Sequence, residues 1–399
     1  MKLSLPLAGL RVLDVSNVLA GPFCGYQLAL MGAEVIKIEQ PGSGDLARRL
    51  GADAQAAAQQ MGASFVAVNA GKQSVTLNLK DREGKKIFEQ LTAVSHVVLE
   101  NFRPGVMQRL GLDYEALAKI NSGIVYCAIS GFGQSGPLAQ RQAYDQIIQG
   151  IAGVMSVTGD ETSAPLRVGY PVADTIGGMT AAFAICAALV DARASGRGRL
   201  IDVSMLEATL ATMGWVVSNY LNAGVAPVAI GNQNATAAPS GTFRTGDGLL
   251  NIAANENRQY EALCGVIGRS DLKTDERFAD RQSRKINRAA LNEQIEGALA
   301  GRRAVEWEPL MIEAGVPVGR VMSVPEVLAE PHLAERRFVT EIVANGTVQR
   351  LTRSGFLLSD DDPAPRAPAP PLSQDTDRWL SELGYAPAEI SRLREQGVI

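Results

Sequence analysis

Short apolar runs alternate with amphipathic stretches along the first third of the chain. Leu10-Arg11-Val12-Leu13-Asp14-Val15 reads as a buried strand, Ala20-Gly21-Pro22 as a turn with proline at a helix start, and Phe23 to Met31 as a helix. A second strand follows at Glu34–Glu39. The alternation then repeats: strand Ser74–Leu79, charged helix Asp81–Leu91, strand His96–Glu100, helix Val106–Leu110 and strand Ile124–Ser130. Strands separated by helices predict an α/β fold with a parallel sheet covered on both faces.

Beyond Ser130 the pattern changes. The loop Gly131-Phe132-Gly133-Gln134-Ser135-Gly136-Pro137 breaks regular structure, and a helical stretch over about 144–221 follows. It contains two long apolar helices, separated by the basic turn 193–199 and a strand at Leu200–Val203. From about 224 the composition shifts to Asn, Ala, Thr and Gly. Asp247-Gly248 then forms a turn between strands Gly241–Arg244 and Leu249–Ala253. A charged helical region over 257–315 completes a smaller second domain. Segment 360–371, rich in Pro and Asp, predicts an extended surface linker, and helices over 374–398 are expected to pack back on the main body. Two uncharged stretches, Thr175 to Val190 and Ala208 to Phe243, read as buried core helices with adjoining loops. The first is short of the roughly 20 residues a spanning helix needs, and polar residues, Pro and Gly interrupt the second.

The length of 399 residues suggests two or three domains, and 46% hydrophobic with 20% charged residues is a globular balance. A net charge of −4 gives no basic footprint for nucleic acid. The two histidines, His96 and His332, and the four scattered cysteines, Cys24, Cys127, Cys186 and Cys264, form no CxxC or HExxH spacing, so no metal site is expected. Dispersed cysteines suit a reducing cytosol, and Met1-Lys2-Leu3-Ser4-Leu5-Pro6 starts no secretory signal, so a cytoplasmic protein without membrane attachment is expected.

Three places carry candidate chemistry. The first strand-to-helix turn, with Glu39 ending the next strand, sits where dinucleotides bind. Its glycines run Gly21-Pro22-Phe23-Cys24-Gly25 rather than GxGxxG, and Pro22 lacks an amide donor, which argues against NAD. Asn101-Phe102-Arg103-Pro104-Gly105 follows a strand at the carboxyl edge of the sheet. With Arg109 and Lys80 near it, one aromatic ring and several cations suit a ligand with a flat base and phosphates, although a plain solvated turn accounts for the same residues. Asp174 lies at the mouth of an apolar helix, where N-capping is the ordinary role of an aspartate. Gly177-Gly178 just after it costs about 1 kcal/mol per residue relative to Ala, so something there requires close backbone approach or bare amides.

Taken together, the chain resembles the class III coenzyme A transferases of the CaiB/BaiF type, which include formyl-CoA:oxalate and succinyl-CoA:dicarboxylate CoA-transferases. The resemblance is carried by Gly9–Asp14, Leu19-Ala20-Gly21-Pro22, Gly32–Glu39, Gly42-Ser43-Gly44-Asp45, Glu100–Gly105, Gly131–Pro137 and the Asp174 segment, in that order and spacing. It implies a Rossmann-like large domain with a smaller domain inserted (1–222, 223–325, 326–399) and an interlocked, ring-like homodimer. It matches Asp174 to the family's nucleophile, and Ala20, Leu77, Lys80, Asn101, Phe102 and Arg109 to its CoA site. Coenzyme A thioesters are then substrates, with no cofactor permanently bound. The family's glycine-rich loop corresponds to 231–238, here poorer in glycine. Leu19 and Gln40 depart from the Gln and Arg of formyl-CoA transferase.

A carboxylate with an unperturbed pKa of about 3.9 is ionised at neutral pH and needs no histidine to become a nucleophile. The implied reaction runs through an aspartyl anhydride and an aspartyl-CoA thioester, with amides at Gly177-Gly178 or after Gly231 as candidate oxyanion donors. Arg167 and Arg141 are candidates for a distal carboxylate of the substrate, which points to a succinyl-CoA donor and a small dicarboxylate acceptor. Tyr144 belongs to the same loop. It stands where racemases of the superfamily carry histidine, and with a pKa of about 10 it is a poor base at neutral pH. An α-methylacyl-CoA racemase-like isomerase and a non-catalytic CoA-binding protein remain the alternatives.

Overall fold

The computed structural model describes residues 4–344, 346–359 and 361–399. Its largest sheet has six strands: β1 (Arg11–Asp14), β2 (Glu34–Glu39), β3 (Gln73–Thr76), β4 (Val97–Glu100), β5 (Val125–Ser130) and β6 (Leu200–Ser204). They lie in the order β3-β2-β1-β4-β5-β6, and every neighbouring pair is parallel. β4 and β5 are buried at every position, as expected when helices cover both faces. Alternate residues serve two cores. Leu13, Ile36, Ile38, Val75 and Val98 face helix Arg82–Ala93 and the C-terminal helices, which contribute Trp379, Leu380, Ile390 and Leu393. Val12, Val35, Val97, Leu99 and Ile129 face helices Ala20–Leu30 and Val172–Ser195.

The direction of winding reverses between β1 and β4, so the loops leaving their carboxyl ends diverge and open a crevice. Ala20-Gly21-Pro22, expected as a turn, is the first turn of helix Ala20–Leu30, where proline's missing amide costs nothing. Asp81 and Asp113 cap the next helices through side-chain bonds to Glu83 and Ala116 amides.

The chain divides into two compact units. The first runs up to Val154 and includes Arg167–Val225 and His332–Ile399; the second gathers Met155–Leu166 and Ala226–Pro331. Residues 155–166 thus group with the smaller unit, not with the large part where sequence placed them. The smaller unit holds an antiparallel sheet of β7 (Ser240–Arg244), β8 (Leu249–Ala253) and β9 (Val318–Arg320), packed on helices through Phe243, Leu250, Leu263, Leu291 and Met311. Its 231–238 loop is pinned by three arginines, Arg281, Arg284 and Arg288, which donate to the carbonyls of Thr236, Ala238 and Asn234.

Three expectations need correction. Residue 360 lies outside the described residues, but 361–371 is no surface linker: Ala369 and Pro370 are buried, and the Pro370 carbonyl accepts from Arg48. It is followed by Asp375 and Thr376, which bond the amides of Ser74 and Thr76 on β3. A hairpin of Val339–Ala344 with Thr347–Thr352 was not anticipated. Helix Trp215–Ala223 has no buried residue, and helix Val172–Ser195 buries one face only, leaving Phe183 and Val190 exposed. The latter helix is long and apolar enough to cross a bilayer, but its residues Ala173, Gly177, Ala181 and Ile185 are packed within the fold.

Six charges are buried around the carboxyl ends of β1 and β2 and the start of β3: Asp14, Lys37, Glu39, Asp45, Arg48 and Lys72. Lys72 Nζ lies 2.7 Å from Asp14 Oδ2, Lys37 Nζ 2.9 Å from Asp45 Oδ2, and Arg48 grips Glu39 through two bonds of 2.7 Å. Burial pushes the three carboxyls up, but the adjoining cations outweigh it and hold each below its ordinary value. Lys37→Met strands Asp45 in a buried site, while Asp14 keeps Lys72. In urea denaturation it should lower stability by about 3–5 kcal/mol, whereas Arg350→Ala, which breaks the exposed pair with Glu341, should cost under ~1 kcal/mol.

Candidate active site

Helix Val172–Ser195 begins without a side-chain cap of its own, since Pro171 occupies the N-cap position. Its first amides are nonetheless satisfied. Val172 donates to the Tyr170 carbonyl at 2.8 Å and Thr175 to the Pro171 carbonyl at 3.1 Å. Between them, Ala173 and Asp174 donate to Asp145 Oδ1 at 2.9 and 3.4 Å. The cap is therefore Asp145, from helix Asp145–Ile151, and not Asp174 as the ordinary reading had it.

Asp145 is itself anchored. Its Oδ2 accepts from Gln149 Nε2 at 2.7 Å, and Gln149 Oε1 accepts from the Val168 amide at 2.9 Å, tying down the segment that leads into the helix. Asp174, in the first turn, is left with a carboxylate that accepts no hydrogen bond from any described residue. Burial, and then the charge of Asp145, push it up to about 7. The carboxyl is thus about half protonated at neutral pH, not fully ionised as its unperturbed value implies.

Gly177 and Gly178 are packing glycines of the second turn. A Cβ on Gly178 would stand 2.4 Å from the Ala20 carbonyl oxygen, and one on Gly177 would stand 3.0 Å from Met205 Cγ. Inside the helix their amides are spent on carbonyls one turn back, which removes them as oxyanion donors. Close approach of helix Ala20–Leu30 is the demand that sequence detected, without a ligand.

The crevice at the reversal point is stapled by Asn101. Its Oδ1 accepts from the Asn17 amide and its Nδ2 donates to the Asn17 carbonyl, both at 2.8 Å, so the loops after β1 and β4 are joined. Gly21 fits beneath them: a Cβ there would lie 2.2 Å from Ser16 Cβ and 3.5 Å from Asn101 Cγ. Asn101, Ala20 and Gly178 consequently form one run of contacts from the crevice to the Asp174 helix. Phe102 is half-buried against the core, and its amide donates to Glu100 at 2.6 Å. Burial pushes Glu100 up to about 8; it lines a cavity of about 320 Å³ with Tyr126 and Gln134. Lys80 and Arg109 are exposed, Arg109 NH1 lying over Gly105, while Leu77 is wholly inside the core.

The remaining candidates are dispersed. Arg141 stands 5.9 Å from the Phe132 ring centroid, Tyr144 is the exposed N-cap of helix Asp145–Ile151, and exposed Arg167 donates only to the Val168 carbonyl. Glu39 is consumed by Arg48 and Ser74, which closes the ribose-binding role that a dinucleotide site requires. Sequence reasoning missed Asp145 and Gln149. The one available signal was their spacing of four at a helix start, which lets one side chain hold the other.

Two tests follow from the packing and charge of this helix. Gly178→Ala should cost about 1–3 kcal/mol, because backbone and not a flexible side chain blocks the new methyl. The folded chain keeps a proton on Asp174 up to about pH 7, while the unfolded chain releases it near 3.8. Between those values the folded state binds more protons, so stability falls as pH rises. Asp174→Asn lacks this loss, and its melting temperature relative to wild type should rise between pH 4 and 7; a constant difference refutes the assignment.

Comparison with known proteins identifies the family. The model of "CoA-transferase family III" matches residues 7–376. An acetyl-CoA:oxalate CoA-transferase of Acetobacter aceti is 40% identical over 92% of this chain and 93% of its own length. A succinate–glutarate CoA-transferase of Agrobacterium fabrum is 34% identical over 95% and 96%. The crystal structure of a CAIB/BAIF family protein from Brucella suis superposes with a TM-score of 0.86 at 33% identity, covering 96% of this chain and all of that one. The chain belongs to CoA-transferase family III.

Proposed function

We propose that this protein transfers CoA from succinyl-CoA to a small dicarboxylate, with Asp174 as the nucleophile. The observation that carries the reading is the Asp174 carboxylate, desolvated and free of hydrogen bonds from described residues at the start of its helix. A carboxylate that has no donors to shed attacks a carbonyl with little reorganisation.

Asp174 attacks the donor thioester carbonyl and expels CoA thiolate, giving an acyl-aspartyl anhydride. The thiolate attacks the aspartyl carbonyl, releasing the donor carboxylate and leaving an aspartyl-CoA thioester. The acceptor carboxylate then displaces CoA to form a second anhydride, whose acceptor carbonyl the thiolate attacks, restoring Asp174. No proton is consumed and no histidine is required, in keeping with two histidines in 399 residues. Exposed Lys80 and Arg109 suit the phosphates of CoA, and Phe102 suits its base. Exposed Phe183, Val190, Trp215 and Leu221 form apolar faces that a second copy covers in a homodimer. Four free cysteines, three of them buried, suit a reducing cytoplasm.

The dicarboxylate reading draws on the succinate–glutarate relative. The acetyl-CoA:oxalate relative supports a second reading, acetyl-CoA as donor with oxalate as acceptor. A racemase reading is disfavoured by Tyr144, exposed and in place of a histidine.

Asp174→Ala should abolish transfer, followed as acyl-CoA exchange by chromatography, and eliminate the hydroxylamine-sensitive adduct formed with acyl-CoA; normal turnover refutes the nucleophile. A panel of succinyl-, acetyl- and formyl-CoA against oxalate, glutarate and related acids should give the highest kcat/KM with succinyl-CoA and a dicarboxylate of four or more carbons. A maximum at acetyl-CoA with oxalate establishes the second reading instead.

A further inference from the structure

We propose that Asp145 is the positioning residue of this active site: it takes the amide hydrogens at the start of helix Val172–Ser195, which leaves the Asp174 carboxylate unbonded, and sets its own negative charge beside that carboxylate. The inference rests on Asp174 being the nucleophile. A helix N-terminus ordinarily draws a nearby carboxylate into capping, because its first amides are unsatisfied and carry a partial positive charge. An aspartate so captured is acidic and spends its lone pairs on amides. Here the amides of Ala173 and Asp174 go to Asp145 Oδ1, and the other amides of the turn go to Tyr170 and Pro171 carbonyls. Nothing at the helix end remains to capture Asp174.

Asp145 is 9% exposed, is held by neutral Gln149, and enters no ion pair among the described residues. The elements packed on the Asp174 helix are helices Ala20–Leu30, Asp145–Ile151 and Met205–Thr212, with β5 and β6. Their ionisable groups are Cys24 and Tyr26, Asp145, Glu207, Tyr126 and Cys127, and Asp202. On the helix and its lead-in segment are Arg167, Tyr170, Cys186, Asp191 and Arg193. Of all these, Asp145 is the one whose charge acts on Asp174. Two carboxylates side by side in a partly buried site make the second a stronger base, and a stronger base is a stronger nucleophile.

Asp145→Asn tests this: its side-chain oxygen still caps the helix while the charge is gone, and the bond from Gln149 that it also loses is the one that Gln149→Leu removes with the charge intact. The acid limb of the kcat/KM profile, with a midpoint near 7 in the wild type, should move to lower pH by on the order of one unit. The high-pH plateau should fall severalfold as the nucleophile becomes less basic. Gln149→Leu, which loosens Val168 and Tyr170 without altering charge, should reduce kcat and leave the midpoint in place. If Asp145→Asn does not fold, Asp145→Ser offers a neutral hydroxyl cap for the same measurement. An unshifted midpoint in the neutral variants, or an equal shift in Gln149→Leu, overturns the proposal. Should Asp174→Ala retain turnover, it is the nucleophile assignment that has failed, whatever the Asp145 variants do.

Discussion

The rest of the site depends on the neutralised charge network around the carboxyl ends of β1 and β2 and the start of β3. Three cations and three carboxylates, all essentially out of water, tolerate one arrangement only, because each ion is costly to bury unless its partner is in place. That arrangement extends into the backbone. Lys37 donates to the Ser16 carbonyl, Asp45 accepts the amide of Val18, which sits at a positive φ of 67°, and Lys72 donates to the Pro22 carbonyl. The loop between β1 and its helix is thereby fixed from below, while Asn101 fixes it from the side. Ala20 then meets Gly178 at backbone contact, and the Asp174 helix is set by a chain of rigid neighbours that starts at the ions.

Much of this architecture was legible in the chain because hydrophobic periodicity decides which face is buried. Every strand of the main sheet lies within a few residues of where periodicity predicts it, and the glycine pair after Asp174 singles that residue out as a candidate. What could not be read were roles that depend on partners distant in sequence. Lys37 and Glu39 stand in a strand otherwise apolar, a pattern that announces buried ions, yet their partners Asp45 and Arg48 lie in a loop that periodicity does not describe. The glycine pair was correctly seen as a demand for close approach, but the approaching group is another helix, not a ligand. Segment 361–371 was taken for a linker because Pro-rich composition describes an extended chain equally well whether it is solvated or packed.

Capping and catalysis compete for the same kind of side chain. An aspartate at a helix start gains roughly 1 kcal/mol by binding amides, and it loses basicity in doing so. In this protein Asp145 caps the helix, and Asp174, on another helix, is the aspartate proposed to react. The fold gains the cap from Asp145, and Asp174 keeps its lone pairs. The cost is a carboxyl that burial and a neighbouring charge push up to about 7, the kind of shift that clusters at functional sites.

The contacts of the last forty residues bear on how the chain comes to be folded during synthesis. β3 is the edge of the sheet, and the amides of Ser74 and Thr76 are met by Asp375 and Thr376, while Arg48 in the ion network is met by the Pro370 carbonyl. Until residues 370–376 have left the ribosome, that edge is open and Arg48, though held by Glu39, lacks its bond to the Pro370 carbonyl. A nascent chain of 350 residues, with its smaller unit already made, still exposes the outer edge of β3 to its neighbours, so the interval between translating the sheet and closing its edge is the one in which a chaperone matters most.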